Sequence, residues 1–265
     1  MTNHLIIGQY VPGHSVIHRL DPRAKLLIVF AYVLIVFLAN NAATYALLSL
    51  FAFAFAALSR IPFSFIARGL KPILWVVLFT LLLHLFMTKE GDVIYQIGAL
   101  SVYEGGIKQG VFISLRFLLL VLMTTMLTLT TTPIEVTDGV ESLLGPLKKM
   151  RVPVHELALM MAISLRFIPT LMEETEKIMK AQAARGVDFS GGRFSERMKA
   201  IVSLLVPLFI SSFKRADELA TAMEARGYRG GEGRTKFRQL AWKPVDTVFL
   251  AAVALLFALL CLLRS

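Results

Sequence analysis

Residue types capable of chemistry occur at a few places in this 265-residue chain, and most of them fail on spacing. Gly230, Gly231 and Gly233 lead into Arg234-Thr235. They lack both the spacing and the lysine of a Gly-x-x-x-x-Gly-Lys-[Ser/Thr] phosphate loop, so ATP hydrolysis by that route is excluded. His155-Glu156 begins like a zinc-protease helix, but Leu159 stands where the second histidine is needed. His4, His14, His18 and His84 show no ligand spacing, and Cys261 has no partner cysteine. The expectation is a chain without catalytic residues, metal or cofactor of its own.

What survives is recognition by arginine. Two segments, 181–186 and 222–227, match at four of six positions and end in Ala184-Arg185-Gly186 and Ala225-Arg226-Gly227. Taken singly, such an ending is an ordinary helix stop: arginine faces the negative end of the helix dipole and glycine takes the left-handed cap. Taken as a pair, the endings point to docking. Alanine keeps each tip slim, so a partner's groove can close around it while the guanidinium reaches a carboxylate or backbone carbonyls.

Long helices must position these tips. From Val154 the residues Leu157, Met160, Met161, Leu165, Ile168, Met172, Ile178 and Met179 recur at helical spacing, giving one amphipathic helix to Arg185 with a kink expected at Pro169. A second helix, 195–226, repeats the plan with Pro207 in its apolar half. Met160, Met161, Met172, Met179, Met198 and Met223 stud the pair; methionine suits a surface that repacks against a changing partner, and equally an ordinary core.

The rest of the chain is written for lipid. It is 56% hydrophobic and 17% charged, where a soluble domain carries about a quarter charged residues. No charge interrupts the stretch between Lys25 and Arg60, which is too long for one span and turns at Asn40-Asn41. Five membrane helices are expected, at 25–39, 43–58, 72–88, 107–132 and 245–263. Arg19, Arg23 and Lys25 before the first, and Arg60, Arg68 and Lys71 between the second and third, place the N-terminus in the cytoplasm. The segment 1–25 has no apolar core or cleavage site of a signal peptide.

By alternation, 133–243 is cytoplasmic. It holds 18 of the 28 basic and 13 of the 18 acidic residues. It opens on Thr132-Pro133-Ile134-Glu135, a capping box with proline at the first helical position. The fold class is therefore an all-α polytopic membrane protein with a cytoplasmic domain of long amphipathic helices, divided as 1–132, 133–243 and 244–265. The apolar halves of the two long helices can alternatively be read as two short extra spans, which leaves the direction of the last helix unchanged. Arg116, about nine residues from the start of its helix, is the one charge well inside an expected membrane helix. It either anchors neighbouring helices or lines a partner contact, unless the helix begins at Arg116 and the side chain snorkels outward.

The paired Ala-Arg-Gly ends, the lead-in Leu20-Asp21-Pro22-Arg23-Ala24-Lys25, and Arg166-Phe167-Ile168-Pro169 followed by Glu173-Glu174 together resemble the transmembrane T component of energy-coupling factor (ECF) transporters, over nearly the whole chain. The resemblance implies a scaffold in the bacterial cell membrane for two ATP-binding-cassette ATPases, which bind the ATP and Mg, and for a membrane-embedded S component that binds a vitamin or similar micronutrient. It implies that Arg185 and Arg226 each dock in one ATPase, with Met160, Met161, Arg166, Pro169, Met172 and Pro207 on the surface that passes motion to the S component. A self-sufficient transporter would need polar groups converging at mid-membrane, and the spans are nearly bare of them. A nucleic-acid binder would need a clean basic stripe, and here 13 acids interleave with 18 bases in 133–243.

Overall fold

In a computed structural model, the structure is described for residues 10–97, 100–150, 152–189, 191, 193–230 and 239–264, with backbone only at 94–97, 100–102 and 148. Eight α-helices and one β-hairpin follow in chain order among these residues: α1 Pro22–Val36, α2 Ala42–Ser59, α3 Phe63–Met87, β1 Val93–Ile97, β2 Leu100–Tyr103, α4 Glu104–Thr130, α5 Pro133–Leu143, α6 Val154–Ala184, α7 Phe194–Ala225 and α8 Pro244–Leu263. A 3-10 segment, Gly145–Met150, precedes α6. The chain divides into two compact units, 1–143 with 239–265, and 144–238.

In the first unit α1 is central, packed against α4, α5 and α8, while α2 packs on α4 and α8. Asp21 caps α1 through the Arg23 amide at 2.9 Å, and Pro22 fits the first turn because its missing N–H is unneeded there. The helix ends in a 3-10 turn to Ala39, and Asn41 starts α2 through a reciprocal box with Thr44. The turn asparagines also cap α8: Asn40 Nδ2 donates to Arg264 O at 3.0 Å and Asn41 Nδ2 to Leu263 O at 2.6 Å. At the opposite end the Asp21 amide donates to Asp246 Oδ1 at 2.8 Å. Helices α1 and α8 therefore run parallel between the same two levels, and the 20 residues of α8 reach about 30 Å, the depth of a bilayer core.

Among the described residues five helices are long and apolar enough to cross a membrane, α2, α3, α4, α6 and α8. The number agrees with expectation, but the set differs. The 15 residues of α1 are short, although its 3-10 extension brings it level with the far end of α8, and α6 qualifies by length and composition. The expected start at Pro72 is also corrected: α3 begins at Phe63, so Arg68 and Lys71 lie within it. Pro62 offers the same helix-starting geometry ten residues earlier, and Pro72 is accommodated inside the helix. The expected loop before 107 contains the antiparallel β-hairpin, with Ile97 opposite Leu100, and α4 starts at Glu104. The capping box at Thr132 and Glu135 forms in both directions.

Packing of α3 on α4 depends on a stripe of small residues at four-residue intervals, Gly106, Gly110 and Ser114, all buried. A Cβ on Gly106 would meet His84 O at 2.8 Å and Thr88 O at 3.1 Å, and the Ser114 hydroxyl donates to Val77 O at 3.4 Å. Close backbone approach of this kind drives helix association in lipid, where apolar burial alone offers little. Gly106→Ala is expected to cost about 1–3 kcal/mol by overpacking against backbone. Thermal unfolding in detergent checks it. Gly145→Ala, where nothing lies within 4 Å, serves as the control.

Candidate functional site

Each arginine-bearing tip is built by the same backbone device. At the end of α6, Gly186 N donates to Ala183 O and Val187 N to Gln182 O, both at 3.0 Å. At the end of α7, Gly227 N donates to Glu224 O at 2.9 Å and Tyr228 N to Met223 O at 3.0 Å. Both are Schellman caps, which satisfy carbonyls that the helix end would otherwise orphan. The glycines adopt φ of +90° and +75°, and the arginines occupy matching cap positions with φ near −89° and −87°. Ala184, Arg185, Gly186, Ala225, Arg226 and Gly227 are all exposed. Among the described residues neither guanidinium has an ion-pair partner.

Nothing lies within 4 Å of a Cβ built on either glycine, so glycine is needed for its dihedral alone. Gly186→Ala and Gly227→Ala should each cost about 1–2 kcal/mol, confined to the tip. Faster hydrogen exchange at the Val187 and Tyr228 amides, with unchanged exchange in mid-helix, is the expected result.

The two helices pack antiparallel. Gln182 Nε2 donates to Ser203 O at 3.1 Å, Arg215 Nη2 donates to Glu174 Oε2 at 3.0 Å, and Ser211 Oγ also donates to Glu174. Leu159 and Ile163 share a concavity with Arg226, Gly227 and Tyr228. As numbering falls along α6 it rises along α7, so the tips sit at opposite ends of the pair. From Leu159 to Arg185 is about 26 residues, roughly 39 Å of straight helix. Pro207 has a part in this contact: lacking an N–H, it frees the Ser203 carbonyl that Gln182 takes up. Both α6 and α7 continue as helix through their prolines.

The remaining candidates on this unit are separated. Met160 and Met161 are 55% and 49% exposed, Arg166 and Pro169 are exposed, and Met172 and Pro207 are half-buried. None of the six lines the apolar groove of about 440 Å³ between the helices, which Ile163, Phe167, Ile168, Leu171, Leu219 and Met223 enclose with Arg215. An exposed apolar face does run along α7 through Ile201, Val202, Leu205, Val206, Phe209, Ile210 and Phe213.

Arg116 lies 12 residues inside α4, so the possibility that the helix begins there does not hold. Its Nε donates to Tyr45 Oη at 3.1 Å and its Nη2 to Ala39 O at 3.2 Å, and the guanidinium lies 5.5 Å from the Phe37 ring centroid. It braces the α1–α2 turn, level with the far ends of α1 and α8, and caps a carbonyl that the end of α1 leaves open. Its position is the end of the bundle rather than its middle.

A buried polar cluster joins the starts of α1 and α8, and it was not legible as such. Asp246, fully buried, accepts from the Asp21 and Lys243 amides at 2.8 and 2.6 Å. Lys25, 2% exposed, donates to Thr130 O at 2.9 Å. Arg23 Nε and Nη2 donate to the two Asp21 carboxylate oxygens, while Nη1 reaches Ser142 Oγ at 3.2 Å and Nη2 reaches Leu240 O at 3.1 Å. The signal for Asp246 is a lone acid in the first turn of an otherwise apolar helix. Nearby, burial holds the His18 imidazole below its ordinary pKa; its ring nitrogens lie 2.7 Å from Ser15 Oγ and 3.0 Å from Val11 O. Among the described residues no three His, Cys, Asp or Glu converge on a metal position.

The amino-acid sequence has relatives among known proteins. The family model described as "Cobalt transport protein" (CbiQ) matches residues 13–237. The chain is 66% identical over 265 residues to "Energy-coupling factor transporter transmembrane protein EcfT" of Bacillus subtilis (strain 168), covering 100% of both chains. It is 56% identical over 265 residues to the protein so named in Listeria innocua, again covering 100% of both. With that of Streptococcus thermophilus it shares 51% identity over 261 residues, 98% of this chain and 99% of the relative.

Proposed function

The chain belongs to the family of energy-coupling factor transporter transmembrane proteins, and from that premise we propose that it is the scaffold on which two ATP-binding-cassette ATPases and a substrate-binding S component form an ATP-driven importer. The observation that carries this reading is the pair of matching, exposed Ala-Arg-Gly tips at opposite ends of one antiparallel helix pair. One tip then serves one ATPase. ATP and Mg bind in the ATPases, whose closure swings α6 against α7 about the Glu174–Arg215 contact. The exposed face of α7, with Met160, Met161, Arg166, Pro169, Met172 and Pro207, passes that motion to the S component.

Chain geometry supports a cytoplasmic location for 144–238. Ser142 and Leu240, on either side of that unit, hydrogen-bond the same Arg23 guanidinium, so the chain leaves and re-enters the first unit at one level. It must therefore cross the bilayer an even number of times in between. Helix α6 is apolar enough to cross, α7 is not, and one without the other is forbidden by that parity. The basic lead-in to α1 puts this end, with the N-terminus, in the cytoplasm. Cargo selection, cobalt or an organic micronutrient, falls to the S component. Purification of the tagged chain from native membranes tests the reading: two ATPases and a small membrane protein should accompany it, and recovery of the chain alone would refute it.

A further inference from the structure

We propose that Arg23 is the joint that ties both connectors of the 144–238 unit to one point of the membrane core, and so the positioning residue through which movement of α6 and α7 is delivered there. Ser142 lies two residues before that unit and Leu240 two residues after it. A guanidinium is suited to hold both, because its donors diverge in one rigid plane. Arg23 is itself held. Its Nε and Nη2 are fixed on Asp21, whose carboxylate caps α1 and whose amide is bonded to the buried Asp246 of α8. The clamp is therefore rooted in the first turns of two core helices, and only its outer donors face the connectors.

The transport consequence rests on the scaffold reading above; the mechanical one does not. In the purified full chain, Arg23→Ala should raise hydrogen exchange about tenfold or more at 139–143 and 239–242, the scale of losing a charged hydrogen bond, with the tips at 182–187 and 223–228 unaffected. In the complete transporter the same variant should keep ATPase capture and ATP hydrolysis while uptake falls about tenfold or more. Ser142→Ala, which removes one connector bond, should give the milder version, and keeps the test open should Arg23→Ala fail to fold. Cross-linking Ser142→Cys to Leu240→Cys with a short bismaleimide, in a Cys261→Ser background, should restore uptake to Arg23→Ala. Unchanged exchange at both connectors, uptake lost only in step with hydrolysis, or no rescue on cross-linking would each overturn the proposal. If the unmodified chain captures no ATPase, the scaffold reading fails and the exchange result still decides the clamp.

Discussion

Charge reversal at both tips, Arg185→Glu with Arg226→Glu, is expected to abolish capture of the ATPases while membrane insertion and folding persist. Both side chains are exposed and unpaired among the described residues, so neither contributes a native contact whose loss would unfold the chain. A buried arginine anchor at an interface is worth about 2 kcal/mol or more, and reversal adds repulsion from whatever carboxylate or carbonyls received it. Each single variant should therefore weaken its own ATPase contact by roughly 30-fold or more. Because the tips lie at opposite ends of the pair, the two losses should be nearly additive. Quantitative pull-down against the native ATPases measures it. Lysine in place of either arginine should restore only part, since an ammonium lacks the planar fork.

The second large effect is on stability. Asp246→Ala removes the acceptor for two amides, those of Asp21 and Lys243, at a fully buried position. The buried Asp21 amide, once orphaned, costs about 1–3 kcal/mol and the amide of exposed Lys243 costs less, so a loss of roughly 2–4 kcal/mol is expected, enough to detach the start of α8 from α1. Asp246→Asn keeps one carbonyl oxygen and should recover about half of that. Thermal unfolding in detergent, together with protease cutting near 239–243, reads both variants. An Asp246→Ala protein as stable as the parent would show that the buried cluster does not hold the first unit together.

Much of this architecture is written locally. Glycine after Arg185 and Arg226 specifies the caps, Thr132 and Glu135 specify a box, and Asn40-Asn41 specifies a turn, because each depends on residues within a few positions. Contacts between distant segments were not legible in that way. Glu174 with Arg215, Gln182 with Ser203 and Asp246 with Asp21 are pairs that no periodicity marks. The antiparallel order that separates the tips follows from them. Pro72 does not mark the start of α3 because proline both starts helices and is tolerated inside long ones, and Pro62 takes the starting position. The Gly106–Gly110–Ser114 stripe is readable in principle from its four-residue spacing, although it is embedded in a longer apolar run. Arg116 falls within α4, but its level in the bundle depends on Ala39 of the α1–α2 turn and Tyr45 of α2, which no local pattern marks.

In the proposed scaffold role this chain receives force at two arginine tips and performs no transport alone. The most direct test of that role is reconstitution in sealed, ATP-supplied liposomes offered a radiolabelled panel of water-soluble vitamins and Co²⁺. The purified chain by itself should accumulate none of them. With its copurified ATPases and S component it should accumulate at least one in an ATP-dependent manner, and the Arg185→Glu, Arg226→Glu assembly should not. Accumulation by the isolated chain, or undiminished uptake by the doubly reversed assembly, would contradict the claim.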